Sequence, residues 1–203
     1  MAIFPIQLQN GPDLQSVLNC ALSNSLLLTN ARLGNVQLMD WQSGCLTIAA
    51  QFGFRAEFLS FFRSVKAESG SACGRAVKER HSIIIEDVLT DPDFAPYRAM
   101  ALKAGYRAVQ STPIISRSGA FFGVMSTHFP VIHRPTDGQM RELKALGESI
   151  ADAIICQRIE AMMPGEAKAN NLARQIELGY EALASSYELL ERVGRRLVRE
   201  QDR

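Results

Sequence analysis

This chain carries few of the side chains from which reactive centres are built. It has three histidines, His81, His128 and His133, and four cysteines, Cys20, Cys45, Cys73 and Cys156. No two cysteines form a C-x-x-C pair, and no histidine stands at ligand spacing from any of them. A zinc site or a disulfide framework is therefore not expected, and the cysteines read as separate reduced thiols. The sequences G-x-x-x-x-G-K-[ST], G-x-S-x-G and H-E-x-x-H are absent, which removes the common phosphate-loop, hydrolase-elbow and zinc-protease readings. No catalytic or metal-ligating set is assigned.

Charge of one sign is lacking too. The 22 basic and 21 acidic residues leave a net charge of +1, so no global field draws the chain to nucleic acid or to a membrane surface. No apolar run reaches the roughly 18 residues of a membrane-spanning helix. The opening MAIFPIQLQNGPD has neither a basic start nor a long apolar core, so no signal peptide is expected and the cytoplasm is the expected compartment. Hydrophobic residues make up 47% of the chain, which is ordinary for a folded domain and argues against disorder.

The most informative stretch is Tyr106 to Pro130, YRAVQSTPIISRSGAFFGVMSTHFP. It reads as two strands joined by a turn at Arg117-Ser118-Gly119, with the second strand apolar at nearly every position. Such a run means that both faces of the sheet are covered. Ser126, Thr127 and His128 break that rule. Buried polar groups need partners, so this end reaches solvent or lines a polar cavity.

Around this hairpin the other elements follow in order. Asp13 to about Asn30 has helical spacing. Gly34–Asp40 and Cys45–Phe52 read as a hairpin across Trp41–Gly44, with Leu46, Ile48, Ala50 and Phe52 on one face. A short helix from Arg55 to Val65 follows. A helix of small residues then begins at Ser69 or Ser71. His81 to Asp87 holds a strand, LTDPDFAP is a loop, and a helix runs from about Pro96 to Ala104. A long helix starts at Thr136 or Asp137. The hairpins favour an α+β fold with a mainly antiparallel sheet. Beyond Pro164-Gly165, Ile176, Leu183, Leu190 and Leu197 recur at strict sevens, opposite Ala173, Tyr180, Tyr187 and Gly194, which reads as a coiled-coil-like helix. The expected organisation is a tail and helix over 1–30, a domain over 31–160 and the coiled-coil-like helix over 166–203.

Five collinear segments carry a family resemblance: GNVQLMDWQSGCLTIAAQFGF, ESGSACGRAVKER, IIIEDVLTDPDFAPYR, AGYRAVQSTPIISRSGAFFGVMSTHF and RPTDGQMRELKALGESIADAI. Over about Ala31 to Ile155 the chain resembles a GAF domain, a small-molecule sensor module, and most of all those attached to bacterial sensor histidine kinases. The resemblance implies a sheet of about six antiparallel strands, with terminal helices on one face and roof helices and loops over a ligand pocket on the other. On that frame the candidate ligand-binding residues are Ser71 and Cys73 from the first roof helix, Phe94 and Tyr97 from the next segment, and Gln110, Thr112, Ser126 and His128 from the hairpin. The last four are expected to point at the roof, and Phe121, Met125 and Thr127 at the terminal helices. Phe94, Tyr97 and His128 have a plainer reading as core residues, and Asp91-Pro92-Asp93 as turn chemistry rather than a cation site.

These residues point to a non-enzymatic sensor module. Its ligand and any cofactor are unknown. It is expected to form a homodimer through its terminal helices and to act on a histidine kinase or another signalling partner. The alternatives are a dimerisation or adaptor module without ligand, and a thiol-based methionine sulfoxide reductase centred on Cys73. A bilin attached at Cys73 lacks the surrounding chromophore motifs.

Overall fold

The computed structural model describes residues 12–67 and 69–162. The coiled-coil-like segment over 166–203 lies outside them. The main compact unit ends at Cys156. Its elements are α1 (Pro12–Thr29), β1 (Leu33–Asp40), β2 (Cys45–Phe52), α2 (Ala56–Phe61), β3 (Val65–Lys66), α3 (Ala72–Glu79), β4 (Ile83–Ile85), α4 (Arg98–Ala104), β5 (Ala108–Ile115), β6 (Phe121–Phe129) and α5 (Asp137–Met162), with a 3-10 turn at Ala95–Tyr97 before α4.

The strands form one antiparallel sheet of six in the order β3-β2-β1-β6-β5-β4. The central strands are β1 and β6, and β6 is buried along its whole length. One face packs against α1 and α5 through Leu18, Leu22, Val36, Ile114, Met125, Leu143, Ile150 and Ile154. The other is roofed by α2, α3 and the Phe94–Ala104 region through Phe58, Phe62, Ala76, Phe94, Val109 and Val124.

Local chemistry sets the helix starts. Ser71 caps α3: its Oγ accepts the Gly74 amide proton at 3.2 Å. Thr136 and Gln139 close a reciprocal box at the start of α5, with the Gln139 amide donating to Thr136 Oγ1 at 3.2 Å and the Thr136 amide donating to Gln139 Oε1 at 2.9 Å. Gly119, at φ +86°, makes the hairpin turn.

Three sequence expectations are corrected. The helix expected over Arg55 to Val65 stops at Phe61, and Val65 joins a two-residue edge strand beside β2. A bulge in β2 pairs Val36 with Ala50 but Gln37 with Ile48, so Ala50 turns to the terminal helices while Leu46 and Ile48 stay under the roof. A second bulge, with Phe122 as its extra residue, sets Ile115 opposite Phe121 and Ile114 opposite Gly123. Phe121 therefore packs under the roof, not against the terminal helices. In both strands one extra residue resets a period of two.

Gly123 fixes how closely β1 and β6 approach. A Cβ there would lie 2.1 Å from the carbonyl oxygen of Gln37. Gly123→Ala is expected to lower unfolding free energy by about 3 kcal/mol, the upper end of overpacking costs. Gly138→Ala, whose Cβ would meet nothing closer than 3.7 Å, is expected to be neutral or mildly stabilising. Denaturant unfolding of the two variants checks this.

Candidate functional site

Polar side chains project from the sheet on both faces, and the two sets are treated differently. Facing the terminal helices, Thr127 Oγ1 donates to Gln110 Oε1 at 3.0 Å, and Gln110 Nε2 donates to Thr112 Oγ1. All three are buried, and they satisfy one another. Gln110 and Thr112 are thus corrected: they lie opposite Thr127 and Met125 across the ladder, on the terminal-helix face. Parity decides it, since Val109 and Ser111 hold the roof-facing positions opposite His128 and Ser126. Met125 and Thr127 do face the helices, as expected.

On the roof side lies a cavity of about 20 Å³. Its floor is Asn35 and Gln37 of β1, Val109 and Ser111 of β5, and Ser126 and His128 of β6. Phe58, Phe62, Phe94 and Tyr106 surround it, and Ser71, Ala72 and Cys73 close it at the start of α3. Of the expected residues, Ser71, Cys73, Phe94, Ser126 and His128 meet here. Tyr97 does not line it; its ring packs behind, 5.9 Å from Phe62 and 5.4 Å from Phe94.

Several devices hold this wall in place. Asp91 receives Arg75 Nη1 at 2.8 Å through one carboxylate oxygen and the Phe94 amide at 3.0 Å through the other. The Asp91-Pro92-Asp93 segment is therefore turn chemistry that aims Phe94 inward. Gly70 lets the neighbouring loop close, since a Cβ there would lie 2.2 Å from the Asp93 carbonyl oxygen. Ser69 Oγ lies 2.7 Å from Ser71 Oγ, which lies 3.4 Å from Cys73 Sγ. Among the described residues no cluster of His, Cys, Asp and Glu could hold a metal ion.

Asn35, Gln37 and Ser111 were not anticipated. In Gly34–Asp40 the polar residues alternate with Val36 and Leu38, the pattern of a half-solvated strand. A roof over the sheet turns the same alternation into a polar floor. Ser111 and Ser126 pair at 2.7 Å. Among the described residues, Asn35 Oδ1, both ends of the Gln37 amide and His128 Nδ1 are buried without a protein hydrogen-bond partner. The β2 bulge, with Ala49 as its extra residue, lies opposite the Val36–Gln37 step.

The titratable groups here are held neutral. Burial pushes the Cys73 thiol up, outweighing its hydrogen bonds with Ser71 and Gly74, and burial also pushes the Tyr106 hydroxyl up. His128 sits edge-on to Phe54 at 4.9 Å and to Tyr106 at 4.7 Å. Burial lowers its pKa to about 3, with only the Leu33 backbone pulling the other way.

Comparisons with known proteins agree with this architecture. A family model described as GAF domain matches residues 11–155. A GAF domain of a phosphoenolpyruvate-protein phosphotransferase from Coxiella burnetii is 16% identical with a TM-score of 0.64, covering 76% of this chain and 89% of that one. A domain from Sinorhizobium meliloti, described as part of a two-component sensor histidine kinase protein, is 17% identical with a TM-score of 0.58, covering 75% of this chain and 96% of that one. Free methionine-R-sulfoxide reductase from Neisseria meningitidis, solved with its substrate, is 17% identical with a TM-score of 0.60, covering 73% and 82%. At these identities the likeness is one of fold. No curated protein matches the sequence.

The neutral imidazole has a measurable consequence. An unfolded imidazole titrates near 6.5 and the folded one near 3. Between those values the unfolded chain binds more protons, so stability falls as pH drops through that window and does not depend on this group above it. From pH 7 to pH 5 the protein is expected to lose about 2 kcal/mol more than His128→Leu does. Equal losses in urea titrations would show an imidazole that titrates normally.

Proposed function

The chain belongs to the GAF domain family, and we propose that it is a non-enzymatic signalling sensor which binds a small molecule in the roof-side cavity. One observation carries this reading. Among the described residues, four buried polar atoms on Asn35, Gln37 and His128 have no protein partner, and all three side chains line one cavity. Leaving such atoms unpaired costs about 1–3 kcal/mol each. An occupant that supplies the missing partners gives the arrangement a purpose.

Relay would run through β6. Ser126 and His128 line the cavity, while Met125 packs against the terminal helices on the opposite face. An occupant that binds two arrangements of β6 unequally shifts α1 and α5 between them. A second copy of the chain, or a histidine kinase or other signalling partner, would read that shift through the terminal helices. We place the module in the cytoplasm; among the described residues no helix is long and apolar enough to cross a membrane.

A reductase reading asks for a reactive thiolate and a second thiol within reach. The Cys73 thiol is pushed up, Cys45 does not line the cavity, and Cys20 and Cys156 are exposed. The adaptor reading has one observation in its favour. A cavity of about 20 Å³ has little more than the room one water needs, and the aromatic side chains of the roof fill the rest.

Native mass spectrometry of the full chain isolated from its own cells separates the two. The sensor reading expects a small noncovalent mass on the protein, lost in the Asn35→Leu/Gln37→Met double variant. A bare chain under conditions that preserve noncovalent complexes would favour the adaptor.

A further inference from the structure

We infer that the roof-side cavity selects a compact, uncharged molecule bearing both a hydrogen-bond donor and an acceptor, of the carboxamide class, held by Asn35, Gln37 and His128. The inference rests on the sensor reading and adds the chemistry of the ligand.

The geometry supports each part. Gln37 offers an unpartnered donor and an unpartnered acceptor on one planar amide, and Asn35 adds an unpartnered acceptor. Asn35 and Gln37 are 3% and 1% exposed, so bulk water does not satisfy them. They face the same side of β1, two positions apart. A planar group with N–H and C=O matches that set, because it gives and takes a proton without changing charge. His128 Nδ1, 5% exposed, supplies a further unpartnered position on the neighbouring strand.

Charge is excluded by what the wall lacks. Among the described residues no Asp, Glu, Lys or Arg lines the cavity, so an ion entering it would lose its hydration without gaining a counter-charge from them. The aromatic rings offer π faces to a cation, and the start of α3 offers a partial positive end to an anion. Burial shifts both titratable groups of the wall toward their neutral forms: the His128 imidazole resists protonation, and the Cys73 thiol resists ionisation.

Size is the other limit. With about 20 Å³ available, little more than one water needs, even a carboxamide of four heavy atoms requires the aromatic side chains to give way. Phe58 is one of the four aromatic side chains around the cavity. It belongs to α2, a helix of six residues, and stacks on Phe54 at a centroid distance of 3.7 Å.

The test uses three isosteres that differ in charge: acetamide, acetate and acetamidinium. Each is titrated into the full-length chain while the side-chain amide signals of Asn35 and Gln37 are followed by NMR. Acetamide is expected to shift those signals saturably, and both ions to bind at least about tenfold more weakly. Gln37→Met and Asn35→Leu, each verified as folded by its dispersed spectrum, are expected to lose at least about tenfold in acetamide affinity. Binding of either ion as tight as that of acetamide would overturn the charge selection and leave the sensor reading standing. Acetamide binding that survives both substitutions would overturn the assigned residues. If none of the three binds, the inference falls, and the sensor reading then rests on the co-purifying mass alone.

Discussion

A sheet covered on both faces must account for every polar side chain it carries. That constraint organises this protein. The central strands β1 and β6 have no solvent face, so each Asn, Gln, Ser, Thr and His along them finds a partner or leaves a cost. Toward α1 and α5 the Gln110, Thr112 and Thr127 groups close on one another. Toward the roof, Ser111 and Ser126 pair, while Asn35, Gln37 and His128 keep unsatisfied atoms. The same sheet thus solves the problem on one side and leaves it open on the other. Folded proteins tolerate such open ends mostly where function uses them.

The rest of the structure is arranged to hold a roof over that open end. Ser71 starts α3 over the cavity, Asp91 anchors Phe94 from behind, and Gly70 lets the loop between them shut. Burial then acts on chemistry as well as on packing. It keeps the histidine neutral and the thiol protonated, which suits the recognition role we propose.

The hairpin from Tyr106 to Pro130 was legible because its apolar run and its turn glycine are local signals. So were the α+β class and the small-residue helix that starts at Ser71. Which side chains share a face was harder. Period-two counting pairs Gln110 with Thr112 and Ser126 with His128, and the resemblance implies that all four face the roof, but the pairing of β5 with β6 sets Ser111 opposite Ser126. Register is a property of two strands and is not written in either one. Each bulge then reversed parity for part of a strand, moving Phe121 under the roof and Ala50 beneath the helices. Asn35 and Gln37 escaped notice for a related reason, since a polar face reads as solvent until something is known to cover it.

Recognition at this cavity depends on Gln37 being unpartnered in the folded chain. Its amide is 1% exposed and neither end has a hydrogen-bond partner. The most direct measurement is the unfolding free energy of Gln37→Met, which keeps the length of the side chain and removes its polar atoms. An unpartnered amide predicts a ligand-free variant more stable than the parent by about 1–3 kcal/mol. A variant less stable by about 1 kcal/mol or more would mean that Gln37 already has its partners, and the cavity would then be core rather than site.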